Sequence, residues 1–144
     1  MAAWIFQARP ERYKLEEKLQ VDTTETWLVT RYRKEMSRGD IVFFWRAGDR
    51  QERGLYGWGR IIDDEATNYK GWGWGIKVVY SCRFENFIPV DEIEREGILD
   101  NNLILRMPAG TNFKVTDEEL RQLSEMIQLR GEEVPSSFLE ENGP

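Results

Sequence analysis

Apolar positions fall in short blocks rather than long helical stripes, and most blocks have the length and residue types of β-strands. Trp4, Ile5 and Phe6 place a first strand over Ala3 to Ala8, stopped by Pro10, which can open a short helical turn through Tyr13. Thr24 to Thr30 is rich in β-branched and aromatic residues, and Ser37-Arg38-Gly39-Asp40 reads as a tight turn. Ile41 to Trp45 is continuously apolar, as suits a strand covered on both faces, and the polar stretch Ala47 to Gly54 makes it the first arm of a hairpin. The return arm, Leu55 to Ile62, contains Gly57 and Gly59, where a bulge or the close approach of another backbone is expected.

Asp63 to Gly75 reads as a loop, with Trp72 and Trp74 set between glycines, and Ile76 to Phe84 resumes strand character. Pro89 to Gly97 suits a short amphipathic helix, and Leu103 to Met107 a short connector. Thr116 and Glu119 form a capping box for a helix whose face is Leu120, Leu123, Met126 and Ile127, with Leu129 at its end and Gly131 as a left-handed stop. The tally is about five to six strands, short flanking helices and a C-terminal helix: an α+β domain round a curved or closed sheet. Parallel βαβ winding is not expected, because an amphipathic helix of the required length occurs once. Residues 1–131 form one domain, and 132–144 read as an acidic, poorly ordered tail.

Composition narrows the chemistry. The chain of 144 residues contains no His and one Cys, which excludes Ser-His and Cys-His nucleophile pairs, His-bound metal and a disulfide framework. No cofactor or metal is expected. The start shows no secretory pattern and no apolar run approaches the ~20 residues of a membrane span. These features predict a soluble protein of a reducing compartment, cytoplasmic or, in a eukaryote, nuclear, and a monomer.

The net charge of −6 argues against non-specific coating of nucleic acid, but the charge is uneven. Residues 1–83 hold 15 basic and 12 acidic side chains, whereas 84–144 hold 5 and 14. The densest basic run is Arg31-Tyr32-Arg33-Lys34, which reads either as a solvated turn or as a phosphate-binding patch.

Six Trp are more than one core of this size needs. Trp4, Trp45 and Trp58 lie on strands and read first as packing residues, although Trp45 is also a candidate to face a base. Trp72 and Trp74 have no periodic pattern to bury them and read as loop anchors or as walls for a planar ligand. Trp27 comes just before the basic run, so a ring that can stack is followed by cations that can hold phosphates. Stacking is worth about 1–3 kcal/mol per base, comparable to the cost of flipping that base out of its stack. Gln7 and Asn112 are candidates for the base edge, Asn112 reading also as a turn residue. Cys82 lacks a base to make it a nucleophile, and Asp63-Asp64-Glu65 reads as a solvated turn or, in a metal-dependent enzyme, as a Mg²⁺ site.

Several ordered blocks together resemble the EVE domain family of the PUA-like fold. They are Trp4-Ile5-Phe6-Gln7-Ala8-Arg9-Pro10, Trp27-Leu28-Val29-Thr30-Arg31-Tyr32, Phe43-Phe44-Trp45-Arg46-Ala47-Gly48, Gly54-Leu55-Tyr56-Gly57 and Arg106-Met107-Pro108-Ala109-Gly110-Thr111-Asn112. The resemblance implies a PUA-like mixed β-barrel, related to YTH domains, with a cleft that reads modified bases, chiefly modified cytosine in DNA, and performs no catalysis. It places Trp27 and either Trp72 or Trp74 at the base, Gln7 and Arg9 beside it, and Arg46 near the same rim.

The combined expectation is a non-catalytic reader of a flipped, modified base. Trp27, Trp72 or Trp74, Trp45, Gln7 and Asn112 would contact the base, and Arg9, Arg31, Arg33 and Arg46 the phosphates. The partner would be DNA in preference to RNA. Alternatives are a reader of modified RNA, or a module that binds a free heterocycle or another protein.

Overall fold

The computed structural model describes residues 2–71 and 73–135. Among the described residues, seven strands form one mixed sheet: β1 (Ala3–Ala8), β2 (Thr24–Val29), β3 (Ile41–Arg46), β4 (Gly54–Ile61), β5 (Thr67–Asn68), β6 (Trp74–Pro89) and β7 (Asn112–Val115). Their order is β2-β6-β4-β3-β1-β7, with β5 added to β6. The helices are α1 (Leu15–Lys18), α2 (Val90–Arg95) and α3 (Asp117–Leu129), with a 3-10 turn at Leu103–Leu105. The result is a curled half-barrel with short flanking helices and a C-terminal helix, the α+β architecture expected.

Alternation along the strands divides the core into two layers. Trp4, Phe6 and Ala8 of β1 and Val42 and Phe44 of β3 point into the curl, where they meet Trp27, Ile76, Val78 and Tyr80. Ala3, Ile5, Ile41, Phe43 and Trp45 point to the opposite side, against Trp58, Phe113, Leu123 and Ile127. The continuous apolar run of β3 is therefore buried on both faces. β4 curls as its glycines predict. Its register to β6 shifts at Leu55/Gly57 and at Trp58/Gly59, and a Cβ on Gly57 or Gly59 would lie 2.2 or 2.1 Å from the carbonyl oxygen of Cys82 or Val79.

The structure differs from the pattern reading in several places, beginning with β5 (Thr67–Asn68), which lies in the stretch read as a loop. β6 runs 16 residues, from Trp74 to Pro89, because β2 and β5 pair with its beginning and β4 with the rest. β7 was hidden between the connector and the helix cap, since Asn112 and Lys114 interrupt its apolar signal. β1 and β3 pair in parallel, joined through the four-residue α1 and β2 rather than by a long crossover helix.

The start of α3 has the expected capping box: the Glu119 N–H donates to Thr116 Oγ1 at 3.1 Å and the Thr116 N–H to Glu119 Oε1 at 2.9 Å. Gly131 is left-handed with φ 79°. Leu129 is 88% exposed, because two residues past Ile127 is about 200° round the helix.

Residues 132–135, read from sequence as the start of the tail, pack on the body. The Glu132 carboxylate accepts from the N–H groups of Glu85 and Asn86 at 3.2 Å each, the Glu133 carbonyl accepts from Trp58 Nε1 at 2.9 Å, and Val134 is buried. The two N–H groups lie where β6 departs from register with β4, so the carboxylate replaces ladder partners. The rest of the tail reading, 136–144, lies outside the described residues.

Candidate nucleic-acid interface

Trp27 lies on the inner face of β2 and is 7% exposed. Its ring contacts are Phe6 at 5.7 Å, Phe44 at 5.6 Å and Tyr13 at 5.1 Å between centroids. Phe6 and Phe44 are fully buried, whereas Tyr13, in the turn after β1, is part-exposed and forms the solvent side of the cluster. Trp27 Nε1 donates to the Tyr80 hydroxyl at 3.0 Å, and the Tyr13 and Tyr80 hydroxyls are 2.6 Å apart. Burial pushes the Tyr80 phenol up to about 12. Burial, and then the adjacent Tyr80 hydroxyl, raises that of Tyr13 well above its ordinary range. Both are neutral hydroxyls at neutral pH.

Trp74 is 40% exposed and opens β6. Its ring is covered by the Arg33 guanidinium, 3.7 Å from the centroid, and lines a cleft of about 490 Å³ with Lys34, Met36 and Glu65. The register pairs Trp27 with Ile76 and Val29 with Trp74. The two Trp thus start from one face of adjacent strands as diagonal neighbours, not as walls opposed across a gap. Trp72 lies outside the described residues.

Three of the expected base contacts are committed elsewhere by the fold. Gln7 belongs to the face of β1 opposite Phe6, so it cannot share a slot with Trp27. Its Nε2 donates to the carbonyls of Gly110 at 2.6 Å and Met107 at 3.1 Å, pinning the turn before β7. Trp45 is fully buried in the outer layer, again on the far side of the sheet from Trp27. Asn112 does share the Phe6 side, through the pair Phe6–Asn112, but is fully buried. Its Oδ1 accepts from the Thr30 N–H at 2.8 Å and its Nδ2 donates to the Leu28 carbonyl at 3.2 Å, so the amide ties β7 to the end of β2 across the open side of the curl.

Asn112→Ala should therefore act on stability before ligand binding. A loss of about 2–3 kcal/mol is expected from two stranded buried backbone groups, measurable as a lower urea midpoint.

The cations separate into neutralised and available groups. Arg46 is buried, 2.6 Å from Glu16 and 3.0 Å from Glu52, which removes it from the expected phosphate set. Arg9 faces Glu11 at 3.8 Å and lines a cleft of about 420 Å³ with Pro10, Gly48, Arg53, Pro108 and Ala109. Arg31 has no carboxylate partner among the described residues; it donates to Met107 Sδ at 3.8 Å and lies over the Tyr32 ring. Arg33 likewise has none, its contact being Trp74. Arg9 and Arg31 thus flank the 107–111 turn, Arg9 from the Pro108 side and Arg31 from Met107.

The acidic run and the thiol have structural employment. The Asp63 carboxylate accepts from the Lys77 N–H at 2.9 Å, and Asp64 pairs with Arg38 at 2.8 Å, which lowers its pKa. Burial pushes the Cys82 thiol up to about 11, away from the thiolate a nucleophile needs. Among the described residues no helix is long and apolar enough to cross a membrane.

The mixed, curled sheet with an aromatic interior and a cationic turn at its rim defines a PUA-like domain. The EVE domain family model matches residues 2–126, and the chain belongs to that family. Solved structures of the same fold include the DUF55 domain of human thymocyte nuclear protein 1, 18% identical over 88% of this chain and 99% of that one, with a TM-score of 0.71. A hypothetical protein from Leishmania major is 16% identical over 91% and 97%, with a TM-score of 0.71. Human THYN1 protein in complex with DNA containing 5-methylcytosine is 18% identical over 92% and 99%, with a TM-score of 0.67. No curated protein matches in sequence.

Sequence reasoning passed over Tyr13, Tyr80 and Glu25. Glu25 and Trp27 are two apart on a strand and so share a face, and Ile76, Val78 and Tyr80 alternate inward. Those signals were present. What brings Tyr13 onto Trp27 is the turn after Pro10, which no periodicity describes.

Proposed function

We propose that this protein is a non-catalytic nucleic-acid-binding domain that takes a flipped, modified base, of the modified cytosine type in DNA, against Trp27. The carrying observation is that Arg31 and Arg33, just beyond the end of the strand that carries Trp27, have no carboxylate partner among the described residues in a chain of net charge −6, Arg33 lying on Trp74, while Arg9 is held only by Glu11 at 3.8 Å. Guanidinium groups not neutralised by a close carboxylate on an acidic protein are what phosphate binding requires. The Arg9 carbonyl accepts the Tyr13 N–H at 2.9 Å, so one turn carries both a cation and the ring that covers Trp27. The 5-methylcytosine DNA complex of human THYN1, a protein of the same fold, supports the choice of ligand.

In this reading the phosphates lie along Arg9, Arg31 and Arg33. Trp27 supplies the stacking face, and Trp74, under Arg33, offers a second ring to a neighbouring base. The absence of His, the engaged Asp63 and Asp64, and the protonated buried Cys82 support binding without bond cleavage.

Combining Arg31→Ala with Arg33→Ala tests the assignment. Two lost phosphate contacts should weaken binding to every duplex sequence alike, by about 30-fold near physiological salt, and reduce the slope of log K against log salt by about 1.8. Fluorescence anisotropy of labelled duplexes with and without 5-methylcytosine, at several salt concentrations, gives both numbers. An unchanged slope would remove the two arginines from the interface.

A further inference from the structure

Tyr13 lies on Trp27 without belonging to a strand or helix. Its ring is tilted 52° to the indole. Its hydroxyl meets two groups, the Tyr80 hydroxyl at 2.6 Å and Glu25 Oε2 at 3.3 Å. Trp27 Nε1 also donates to Tyr80, so when Tyr13 donates to Glu25 the Tyr80 hydroxyl is free to donate to Tyr13. Glu25 and Trp27 are two residues apart on β2, and the carboxylate stands beside the indole on the same face. A flat ring against an indole, with a polar tip between a carboxylate and a hydroxyl, has the outline and hydrogen-bonding needs of a nucleobase.

We propose that Tyr13 fills the base slot in the free protein, and that Glu25 and Tyr80 form its reading end, selecting bases that present an exocyclic amino group over those that present a carbonyl there. This inference rests on the base-binding reading above and adds which edge of the base is read. The reason is the donor and acceptor inventory. A carboxylate only accepts, so it pairs with the amino group of a cytosine-type or adenine-type base. The carbonyl of thymine or uracil in that position sets acceptor against acceptor and leaves both without a proton. The Tyr80 hydroxyl rotates to donate or accept, so it tolerates either base, and the discrimination falls to Glu25.

Tyr13 acts as an internal competitor. A base can stack on Trp27 only in the fraction of molecules whose Tyr13 has swung out, and the apparent affinity falls by that fraction. The swing is local, since Tyr13 lies on a turn and α1, the element after it, has only four residues. Loosening Tyr13 should therefore strengthen base binding, the opposite of what loss of a contact residue would do.

The test uses two bases that differ only along one edge: 5-methylcytosine carries an amino group at C4 and a bare N3 acceptor, where thymine carries a carbonyl and an N3–H. Otherwise identical oligonucleotides containing one or the other are titrated against the full chain. The native protein should favour 5-methylcytosine by roughly tenfold. Glu25→Gln, whose amide both donates and accepts, should bring the ratio close to one. Tyr13→Phe, which keeps the ring and loses its hydroxyl anchor, should tighten 5-methylcytosine binding by about fivefold.

The free nucleosides 5-methyl-2′-deoxycytidine and thymidine are titrated in parallel against Tyr13→Phe and Tyr13→Ala, with the NMR signal of the Trp27 indole N–H as readout. The first should shift that signal more than the second, and Glu25→Gln should erase the difference. A base preference untouched by Glu25→Gln, or an indole signal that no nucleoside moves in either Tyr13 variant, overturns the slot. If no oligonucleotide binds but the nucleosides behave as stated, the slot stands and the nucleic-acid reading of the preceding section fails.

Discussion

Trp27→Ala is expected to lower the stability of the folded chain by about 3–5 kcal/mol, the cost of removing a large aromatic side chain from a packed interior. The indole fills the space between Phe6, Phe44 and Tyr13, and its Nε1 is one of the two partners of the Tyr80 hydroxyl. Truncation would leave a void beside Phe6 and Phe44, which the sheet holds in place, as well as an under-satisfied phenol. A domain of this size has a total stability of about 5–15 kcal/mol, so the loss is a large share of it. Urea unfolding followed by far-UV circular dichroism should show the fall as a lower midpoint with an unchanged slope. A shift below 1 kcal/mol would mean that the indole is not packed as described. It follows that Trp27→Ala cannot by itself report on base binding, since any lost affinity would be mixed with lost folding. Trp27→Phe, which keeps most of the packing and gives up the larger stacking face, is the variant suited to that question.

The second large effect is expected at Asp40, and it concerns the fold alone. The buried carboxylate accepts from Trp4 Nε1 at 3.0 Å, from the Ser37 N–H at 2.9 Å and from the Ala2 N–H at 3.3 Å. It thereby joins the turn before β3 to the first strand and satisfies the indole nitrogen of a fully buried Trp. Asp40→Ala removes three acceptor contacts to a charged group and strands Trp4 Nε1 in an apolar layer, for an expected cost of about 3–4 kcal/mol. Asp40→Asn keeps one carbonyl acceptor and should cost about half as much. Thermal unfolding of the two variants beside the native chain measures the difference. Equal melting temperatures for all three would show that Asp40 does not hold the turn.

Legibility in the sequence followed the range of the interaction that forms each element. The capping box of α3, Gly131 beyond its end, the strand read over Ile41 to Trp45 and found over Ile41–Arg46, and the glycine-bent hairpin arm are dictated by neighbours within a few residues, and they stand where pattern and turn chemistry put them to within a residue. β7 escaped because its pairing partner, β1, lies about a hundred residues earlier and its own four residues alternate weakly. The length of β6 escaped because two different neighbours along it, β2 and β4, hold it extended.

The candidate site shows the same division more sharply. Trp27 and the cations that follow it were visible as a local sequence of types. Gln7, Trp45, Asn112 and Arg46 have side chains suited to a base or a phosphate, and nothing local says whether those side chains are already engaged. The side of a strand on which a residue falls depends on register, and register is set by partners distant in the chain.

What the amino-acid sequence determined unaided is the family, the mixed α+β character, the uneven charge and the exclusion of His-based chemistry. The tertiary structure alone decided which polar groups have their valences filled and which remain open. Asn112 is spent on joining β7 to β2, Gln7 on a turn, and Arg46 on Glu16 and Glu52, whereas Arg31 and Arg33 have no carboxylate partner among the described residues. The physical reason is that a hydrogen bond or ion pair is a property of two groups in space, and the second group is almost never the neighbour in sequence.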